Sequence, residues 1–323
     1  MNLYVRLAII GGAAFFAASA HAFDLQGHRG TRGHMPENTL PAFERAIEIG
    51  VTTLETDLAL TKDGVLILSH DPVLNPDLTR DRRGVFLDKQ GPPIRSMSFA
   101  ETQTYDVGRL NPAGKYAAQW PEQMAIDGTR LPRLADLFAL SERRAPTIRF
   151  NIETKLSPVK PDETADPETL VRAFLAEVRG AGVSPARVTL QSFDWRTLIV
   201  SRRLAPDIAT ACLTIDTANT STLRPVEGKP SAWLGGLDPA TFGGSVPQLV
   251  KAAGCSKWSP FWRNIDAAVV KEAQALGLKV IPWTINLPAD MASVIGAGVD
   301  GLITDYPDRA LKLLAEKGIA VGR

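Results

Sequence analysis

The feature that most constrains this chain is the alternation of short β-rich runs with helical segments along most of its length. Parallel strands need a crossover connection, usually a helix, so this alternation favours a parallel sheet. Eight such strands predict a closed β/α barrel of the TIM type, with its active site at the C-terminal ends of the strands. The candidate strands are FDLQGH, VTTLETDLAL, TIRFNIET, RVTLQSF, DIATACLT, GCSKWSP, KVIPWTI and DGLITDY.

A doubly wound open sheet is the alternative architecture for the same alternation. Such sheets often carry glycine-rich dinucleotide or phosphate-binding loops, and neither fingerprint occurs in this sequence. The chain has 323 residues, of which 45% are hydrophobic, enough for a large core in a single domain of barrel size.

The first 22 residues differ from the rest. Arg6 precedes an apolar run, and Ala20 and Ala22 put small residues at the two positions that a signal peptidase reads. We expect residues 1–22 to be a signal peptide and residues 23–323 to be the mature barrel domain. A buried N-terminal helix is the alternative, but the run lacks helical amphipathicity. The prediction is an exported protein, periplasmic or secreted, without membrane insertion after cleavage.

Charge and cysteine content limit the partners. Removing Arg6 with the leader leaves 35 basic residues against 35 acidic ones, without the excess of positive charge that nucleic-acid binding needs. We therefore expect no nucleic-acid partner. Cys212 and Cys255 are spaced too far apart for a cysteine-based zinc site. A disulfide in the exported protein and two buried free thiols are equal alternatives.

One connection breaks the alternation. Only TKDG separates LETDLAL from VLILSHD, too short for a crossover helix, so these runs are expected to form an antiparallel hairpin. A turn centred on Lys62 and Asp63 pairs Asp57 with about Leu68 and Glu55 with about His70. This register returns the histidine to the barrel mouth beside two carboxylates.

The segment from about residue 72 to 130 is rich in proline, glycine and charge. It is too long for an ordinary barrel loop, and its one short helical stretch runs from about Ser98 to Tyr105. We expect a small inserted subdomain over the site, with a structureless excursion as the alternative.

Acidic and basic side chains recur near strand ends. Residues i and i+2 of a strand share a face, so Glu55 and Asp57 point together, as do Glu153 and Lys155. Three carboxylates converging at a barrel mouth would repel one another without a cation between them. Oxygen ligands suit Ca²⁺ or Mg²⁺, so we predict one such ion. Surface salt bridging is the alternative for each residue taken singly.

Two histidines and two positively charged side chains extend this site. His28 ends the first strand and His70 ends the returning hairpin arm, and such a pair can act as general base and general acid. Arg29 and Lys155 supply positive charge suited to a phosphate oxygen. His34, inside the first loop, better fits a hydrogen-bonded structural residue.

The motifs, taken in order, resemble the glycerophosphodiester phosphodiesterases, a family of phospholipase-C-like β/α barrels. The resemblance covers essentially all of residues 23–323 and implies an insert after SHD. The motifs are HRGTRGHMPENT, ETD, TKDG, SHD, IETK, QSFD, PWTIN and DGLITDYP. The roles implied are cation ligation by Glu55, Asp57 and Glu153, acid–base chemistry by His28 and His70, and phosphate contact by Arg29 and Lys155.

The implied reaction is hydrolysis of a glycerophosphodiester, a small-molecule substrate, to glycerol 3-phosphate and an alcohol. The neighbouring glycerol hydroxyl would attack the phosphorus with help from one histidine, and the other would protonate the departing alcohol. The cyclic phosphate formed in this way would then be hydrolysed. The cation neutralises charge on the phosphoryl oxygens. Phe193, Trp283 and Trp258 are candidates to wall the glycerol pocket, with plain packing as the alternative.

The first loop departs from the family pattern. Gly27 stands where alanine is usual, and TRGHM is less typical, a difference that bears on specificity for the alcohol. PENT is expected to orient the loop, with Asn38 capping the first helix and Gly50 ending it. Two alternative functions are a phospholipase-D-like enzyme of the same superfamily acting on lysolipid or sphingolipid, and a non-catalytic binding protein. The long insert argues against the first, and the retained histidines and carboxylates argue against the second.

Overall fold

The computed structural model describes residues 22–322, and within them eight parallel strands form a nearly closed barrel. This confirms the predicted fold class. The strands are β1 Asp24–Gly27, β2 Thr53–Leu60, β3 Leu66–Leu68, β4 Arg149–Thr154, β5 Val188–Ser192, β6 Ala209–Thr214, β7 Lys257–Pro260, β8 Lys279–Val280 and β9 Gly301–Thr304. Their order in the sheet is β8-β7-β6-β5-β4-β2-β1-β9, and β3 pairs with β2 outside the ring.

Backbone hydrogen bonds bring the two ends of the sheet together. The Asp300 amide donates to the Val280 carbonyl at 3.0 Å, and the Ile303 amide donates to the Pro282 carbonyl at 2.9 Å. These bonds place β9 beside β8 as well as beside β1. The two edge strands of the sheet, β8 and β9, therefore meet. The C-terminal end of β9 lies next to the C-terminal end of β1.

Helices cover the outside of the barrel. Gly50 adopts a left-handed φ of 98° after the first helix and ends it, as predicted, because glycine enters this region without steric cost. Besides the stretch near Ser98, helical periodicity in the sequence predicts helices in NTLPAFERAIEIG, DPETLVRAFLAEVRG, DWRTLIVSRRLA, IDAAVVKEAQALG, PADMASVIGAG and PDRALKLLAEKG. Of the nine helices in the described residues, only the third and the sixth lie outside these segments. The helices are α1 Leu40–Ile49, α2 Phe99–Thr102, α3 Leu134–Arg144, α4 Pro167–Gly180, α5 Trp195–Leu204, α6 Val246–Ala253, α7 Ala267–Ala275, α8 Pro288–Gly296 and α9 Pro307–Glu316.

The predicted cap of α1 is wrong. The N-cap residue is Thr39, and no side chain caps this end of the helix. The Asn38 amide is engaged elsewhere, because it donates to Asp57 Oδ2 at 2.9 Å and accepts from the Thr56 hydroxyl at 2.8 Å. Asn38 thus ties the first loop to β2 and holds one carboxylate of the site.

The β2–β3 hairpin is antiparallel as predicted, but its register differs by one residue. Leu68 pairs with Leu58, not with Asp57. The turn contains three residues between Thr61 and Val65, and Gly64 closes it with a φ of 82°. The pairing of Glu55 with His70 is also wrong, because the ladder ends at the pair formed by Leu58 and Leu68.

The segment between β3 and α3 contains α2 and shares a small apolar cluster with the β2–β3 hairpin. Ser98 caps α2 with a capping box, since its hydroxyl accepts from the Glu101 amide and the Glu101 carboxylate accepts from the Ser98 amide. We call residues 69–133 the insert. The cluster joins the insert to the hairpin: Ala59 and Ile67 come from the hairpin, and the insert contributes Leu74, Ile94, Met97 and Leu131.

A disulfide joins Cys212 within β6 to Cys255 just before β7, with the two Cα atoms 5.9 Å apart. Both residues are buried in the core. The structure thus favours the disulfide over two free thiols. We expect the non-reduced, denatured protein to take up no alkylating reagent at these positions, as measured by mass spectrometry. Two alkylated thiols in protein from an oxidising compartment would contradict the pairing.

The start of the described chain belongs to the barrel body. Phe23 is buried, its amide donates to the Ala320 carbonyl at 2.9 Å, and its carbonyl accepts from the Gly322 amide at 3.2 Å. The predicted signal peptide, except for Ala22, lies outside the described residues. Among residues 22–322, no helix combines the length and the apolar character needed to cross a bilayer.

Candidate active site

Three carboxylates meet at the C-terminal mouth of the barrel. Glu55 and Asp57 come from β2 and Glu153 comes from β4, where it lies opposite Asp57 in the parallel register. Each offers an oxygen atom, and these oxygens all lie within 4.8 Å of one another. All three residues are buried. The strand alignment thus brings together the acidic residues that the sequence predicted would converge.

Burial and repulsion between like charges shift the pKa values of the three carboxyl groups. Burial and the neighbouring Asp57 raise the pKa of Glu55 well above its usual range. Burial also raises the pKa of Glu153 to about 7, despite the opposing Lys155 ammonium. Burial would raise the pKa of Asp57 too, but Lys155 and Arg29 hold it below its ordinary value. The positive side chains therefore compensate only part of the negative charge.

These residues fit an oxygen-ligated divalent cation. Asp57 Oδ1 is buried and has no hydrogen-bond partner, although buried polar atoms normally have one. The other Asp57 oxygen accepts from Asn38, and Glu55 accepts from the Gln191 amide at 2.7 Å, so the carboxylates are held in place from outside. Clustered carboxylates that are held in place, one of them with a buried oxygen that lacks a hydrogen-bond partner, suit a hard cation.

His28 follows β1, where its backbone amide donates to the Thr304 carbonyl. Its Nδ1 lies 2.7 Å from Asp305 Oδ1, and its Nε2 lies 3.9 Å from Glu55 Oε2. Burial lowers the pKa of this imidazole to about 4, although the Asp305 carboxylate opposes that shift. The ring is therefore held by one nitrogen while the other faces the triad.

His70 lies two residues after the end of β3. Its Nδ1 lies 3.1 Å from Asp71 Oδ1, and the other oxygen of that carboxylate accepts from Asn75 Nδ2 at 2.6 Å. Burial and the nearby Arg29 guanidinium lower the pKa of His70. Each of the two histidines thus has a carboxylate on Nδ1, an arrangement that orients an imidazole for proton transfer at Nε2.

One cavity of about 150 Å³ connects these groups. Of the residues predicted for the site, Asp57 and Trp258 do not line it. The predicted residues that line the cavity are His28, Arg29, Glu55, His70, Glu153, Lys155, Phe193 and Trp283. Side chains that the sequence interpretation did not assign complete the wall: Arg32, Gln191, Leu213, Thr284 and Ile303.

The two positively charged side chains predicted to bind phosphate, Arg29 and Lys155, are already paired with acidic groups. Arg29 donates from Nη1 to Glu37 Oε1 at 2.6 Å, and its Nε lies 3.3 Å from Asp57 Oδ2. Lys155 donates to Glu153 at 2.7 Å. Arg29 Nε has no hydrogen-bond partner although it is buried. Positive charge with an unused donor therefore borders the cavity beside the carboxylates.

Aromatic rings form the apolar side of the cavity. Phe193 and Trp283 meet edge to face, with ring centroids 5.3 Å apart, and Trp283 Nε1 donates to the Ser259 carbonyl. The suggestion that Trp258 joins this wall is wrong. Its indole is buried in the core and donates to the Thr214 hydroxyl at 2.9 Å, so it packs between strands instead.

His34 lies outside the cavity. Its Nε2 is 2.8 Å from Asp308 Oδ1, and its ring packs edge to face on Tyr306. The structure thus supports the interpretation of His34 as a hydrogen-bonded structural residue. Asp305 is a residue that the sequence interpretation missed, although it directly follows β9 within DGLITDYP and carries the same strand-end signal as the triad.

A barrel mouth that brings together an acidic triad able to hold a cation, positive side chains and two oriented imidazoles fits the chemistry of one class of enzyme, the phosphoric diester hydrolases. The sequence model of the glycerophosphoryl diester phosphodiesterase family matches residues 28–309. The chain belongs to that family. This confirms the predicted resemblance and the predicted class of enzyme.

Individual relatives agree with this placement. A glycerophosphodiester phosphodiesterase of Caldanaerobacter subterraneus is 27% identical over 291 residues, which cover 90% of this chain and 97% of the relative. A solved structure from Silicibacter pomeroyi, described as a candidate glycerophosphoryl diester phosphodiesterase, has a TM-score of 0.82 at 33% identity. The match covers 94% of this chain and 96% of the Silicibacter chain.

A second solved structure shows the same fold at lower identity. The Oleispira antarctica phosphodiesterase OLEI02445, in complex with the product sn-glycerol-3-phosphate, has a TM-score of 0.65 at 21% identity. The match covers 91% of this chain and 97% of that one.

Proposed function

We propose that this enzyme hydrolyses glycerophosphodiesters to glycerol 3-phosphate and an alcohol, with His28 and His70 as the acid–base pair. The observation that carries the proposal is that both imidazoles line one small cavity with Glu55 and Glu153, each with its Nδ1 on a carboxylate. The product bound to the Oleispira relative supports the choice of glycerol 3-phosphate.

The cation site would be formed by Glu55, Asp57 and Glu153, with Ca²⁺ or Mg²⁺ as the ion. Their oxygens are close enough to share one ion, and oxygen-only ligation favours these two metals over softer ones. When bound, the cation neutralises the charge that develops on the phosphoryl oxygens.

The side chains of this chain would divide the remaining work. Arg29 and Lys155 bind the phosphate oxygens, and Phe193 and Trp283 cover the carbon face of the glycerol. One histidine takes the proton of the attacking hydroxyl while the other gives a proton to the departing oxygen. The small volume of the cavity favours a compact glycerol moiety inside, with the alcohol group directed outward.

Activity on glycerophosphocholine tests the proposal. We expect EDTA treatment to abolish the release of glycerol 3-phosphate, and added Ca²⁺ or Mg²⁺ to restore it, as followed by ³¹P NMR. Cleavage of lysophospholipid or sphingomyelin without any cleavage of glycerophosphocholine would favour the phospholipase-D-like alternative. Binding of glycerophosphocholine without turnover under every cation would favour the binding-protein alternative.

We also propose that the protein is exported, to the periplasm or outside the cell. The apolar leader with small residues at Ala20 and Ala22 supports this, and so does the disulfide, because disulfides persist in oxidising compartments. Cleavage after Ala22 would leave Phe23, whose backbone bonds belong to the barrel, as the first residue.

A further inference from the structure

The Asp305 carboxylate accepts four hydrogen bonds and is fully buried at the end of β9. Oδ1 receives His28 Nδ1 at 2.7 Å and Arg32 Nε at 2.8 Å. Oδ2 receives Arg32 Nη2 at 3.0 Å and Asn286 Nδ2 at 2.7 Å. The Arg32 guanidinium and the His28 imidazole lower the pKa of Asp305 although burial opposes them. Asp305 is therefore an ionised group that can only accept.

The hydrogen on the imidazole follows from these contacts. Arg32 Nη2 also lies 3.2 Å from His28 Nδ1, and a guanidinium can only donate. The contact of Nδ1 with Asp305 Oδ1, at 2.7 Å, is shorter than its contact with Arg32 Nη2 at 3.2 Å. An unprotonated nitrogen at 2.7 Å from a carboxylate oxygen would be repelled. Nδ1 of His28 therefore carries the hydrogen, and Nε2 presents its lone pair to the cavity.

Arg32 is clamped by the insert. Its Nη1 donates to the Tyr116 hydroxyl at 3.1 Å, and its guanidinium lies over the Trp120 ring at 4.2 Å from the centroid. Tyr116 in turn donates to Glu37 at 2.5 Å. The fork of Arg32 faces Asp305, and its remaining arm faces the insert. Although Arg32 borders the cavity, its donors are thus engaged by protein groups.

We propose that Arg32 and Asp305 form a positioning pair for His28. Asp305 holds the imidazole in the Nδ1–H tautomer with Nε2 towards the cavity, and Arg32 holds Asp305 by a two-pronged contact that the insert fixes from outside. The inference rests on the proposed role of His28 in acid–base chemistry. It gives a function to TRGHM, the untypical part of the first loop, because Arg32 lies within it.

Asp305→Asn tests the first half of the pair. An amide nitrogen on the Oδ2 side would face two donors, Arg32 Nη2 and Asn286 Nδ2. Asn286 cannot turn over to accommodate it, because Asn286 Oδ1 accepts from the Asp305 backbone amide at 3.0 Å. On the Oδ1 side the amide nitrogen would face one fixed donor, Arg32 Nε, because the His28 ring can accept at Nδ1 once its hydrogen has moved to Nε2. We therefore expect the amide nitrogen to face His28 and to donate to Nδ1.

We expect kcat of Asp305→Asn on glycerophosphocholine to fall by about two to four orders of magnitude, the range for loss of one acid–base group. KM and the cation titration should stay close to those of the unaltered enzyme. ¹⁵N NMR of the cation-loaded protein should show His28 as the Nδ1–H tautomer before the substitution and as the Nε2–H tautomer after it. A purely structural role would not move this tautomer signal.

Arg32→Lys tests the second half, because lysine keeps the charge but loses the planar fork. We expect kcat to fall by about 10- to 100-fold, as for other groups that orient a functional side chain, with KM unchanged. A raised KM with unchanged kcat would assign Arg32 to substrate binding and overturn its positioning role.

Asp308→Asn is the matched control, since Asp308 contacts the ring of His34 at 2.8 Å outside the cavity. Its kcat should equal that of the unaltered enzyme. Normal kcat in Asp305→Asn together with a large loss in His28→Ala would overturn the positioning pair alone, whereas normal kcat in both would overturn the proposed function as well. If Asp305→Asn does not fold, an Nε2–H tautomer at His28 in the unaltered protein still overturns the pair, and an Nδ1–H tautomer supports it.

Discussion

His28→Ala and His70→Ala should each lower kcat on glycerophosphocholine by about two to four orders of magnitude, the usual range for general acid–base catalysis. Both imidazoles line the same cavity, and in each the Nδ1 side is occupied by a carboxylate. Each ring therefore has one nitrogen available for proton transfer, and alanine removes it without adding bulk. Steady-state kinetics with matched cation concentrations measure the loss, and thermal unfolding verifies the fold.

The two variants should respond differently to the leaving group. A nitrophenyl phosphodiester of glycerol releases a stable phenolate and needs little protonation, so it should largely rescue the variant that lacks the general acid. The variant that lacks the general base should stay inactive. This comparison assigns the two roles.

His34→Ala is the control for both variants, because His34 lies outside the cavity and contacts Asp308. It should keep near-normal turnover. Near-normal turnover of His28→Ala and His70→Ala, or loss of activity in His34→Ala alone, would contradict the acid–base pair.

Glu153→Gln should weaken cation binding by at least about tenfold. Even groups one shell away from a metal commonly change its affinity by about 10- to 100-fold, and Glu153 is proposed as a direct ligand. Glutamine has nearly the same volume but no charge, so the variant tests the electrostatic part of the site. Calorimetric titration of the EDTA-treated protein measures the affinity, and recovery of activity should require correspondingly more cation.

Glu142→Gln provides the matched control. Glu142 is an exposed carboxylate of α3 that pairs with Arg187 at 2.6 Å. The same substitution there should leave the cation titration unchanged. If Glu153→Gln binds the cation as tightly as this control does, the proposed ligand set is wrong.

Local patterns in the sequence predicted the larger features of the fold. Alternating strand and helix periodicity indicated the parallel barrel, since each period shows which side of an element is buried. The two-residue spacing of Glu55 and Asp57 indicated that both point to one face. The chemical roles of the site residues stay predictions, but their meeting at one mouth is a property of the structure.

Smaller local details were less predictable. The hairpin register depended on how Gly64 closes a three-residue turn, and a turn of two residues is equally compatible with TKDG. Helix α6 was missed because it lies in a long segment without clear strands. The sequence did contain signals for its two ends, Ser245 as the N-cap and Gly254 at the C-cap. Asn38 had the right residue type for a cap, yet its amide binds Asp57 instead.

By itself, the sequence determined the barrel class, the strand that carries each candidate ligand and the two histidines at strand ends. Only the tertiary structure decided which distant side chain each of these groups contacts. Asp305 is 277 positions from His28 along the chain and reaches its imidazole because β9 pairs with β1 when the barrel closes. Arg32 acquires its partners from β9 and from the insert together. Such contacts depend on ring closure and on loop packing, which bring together residues that no local period relates.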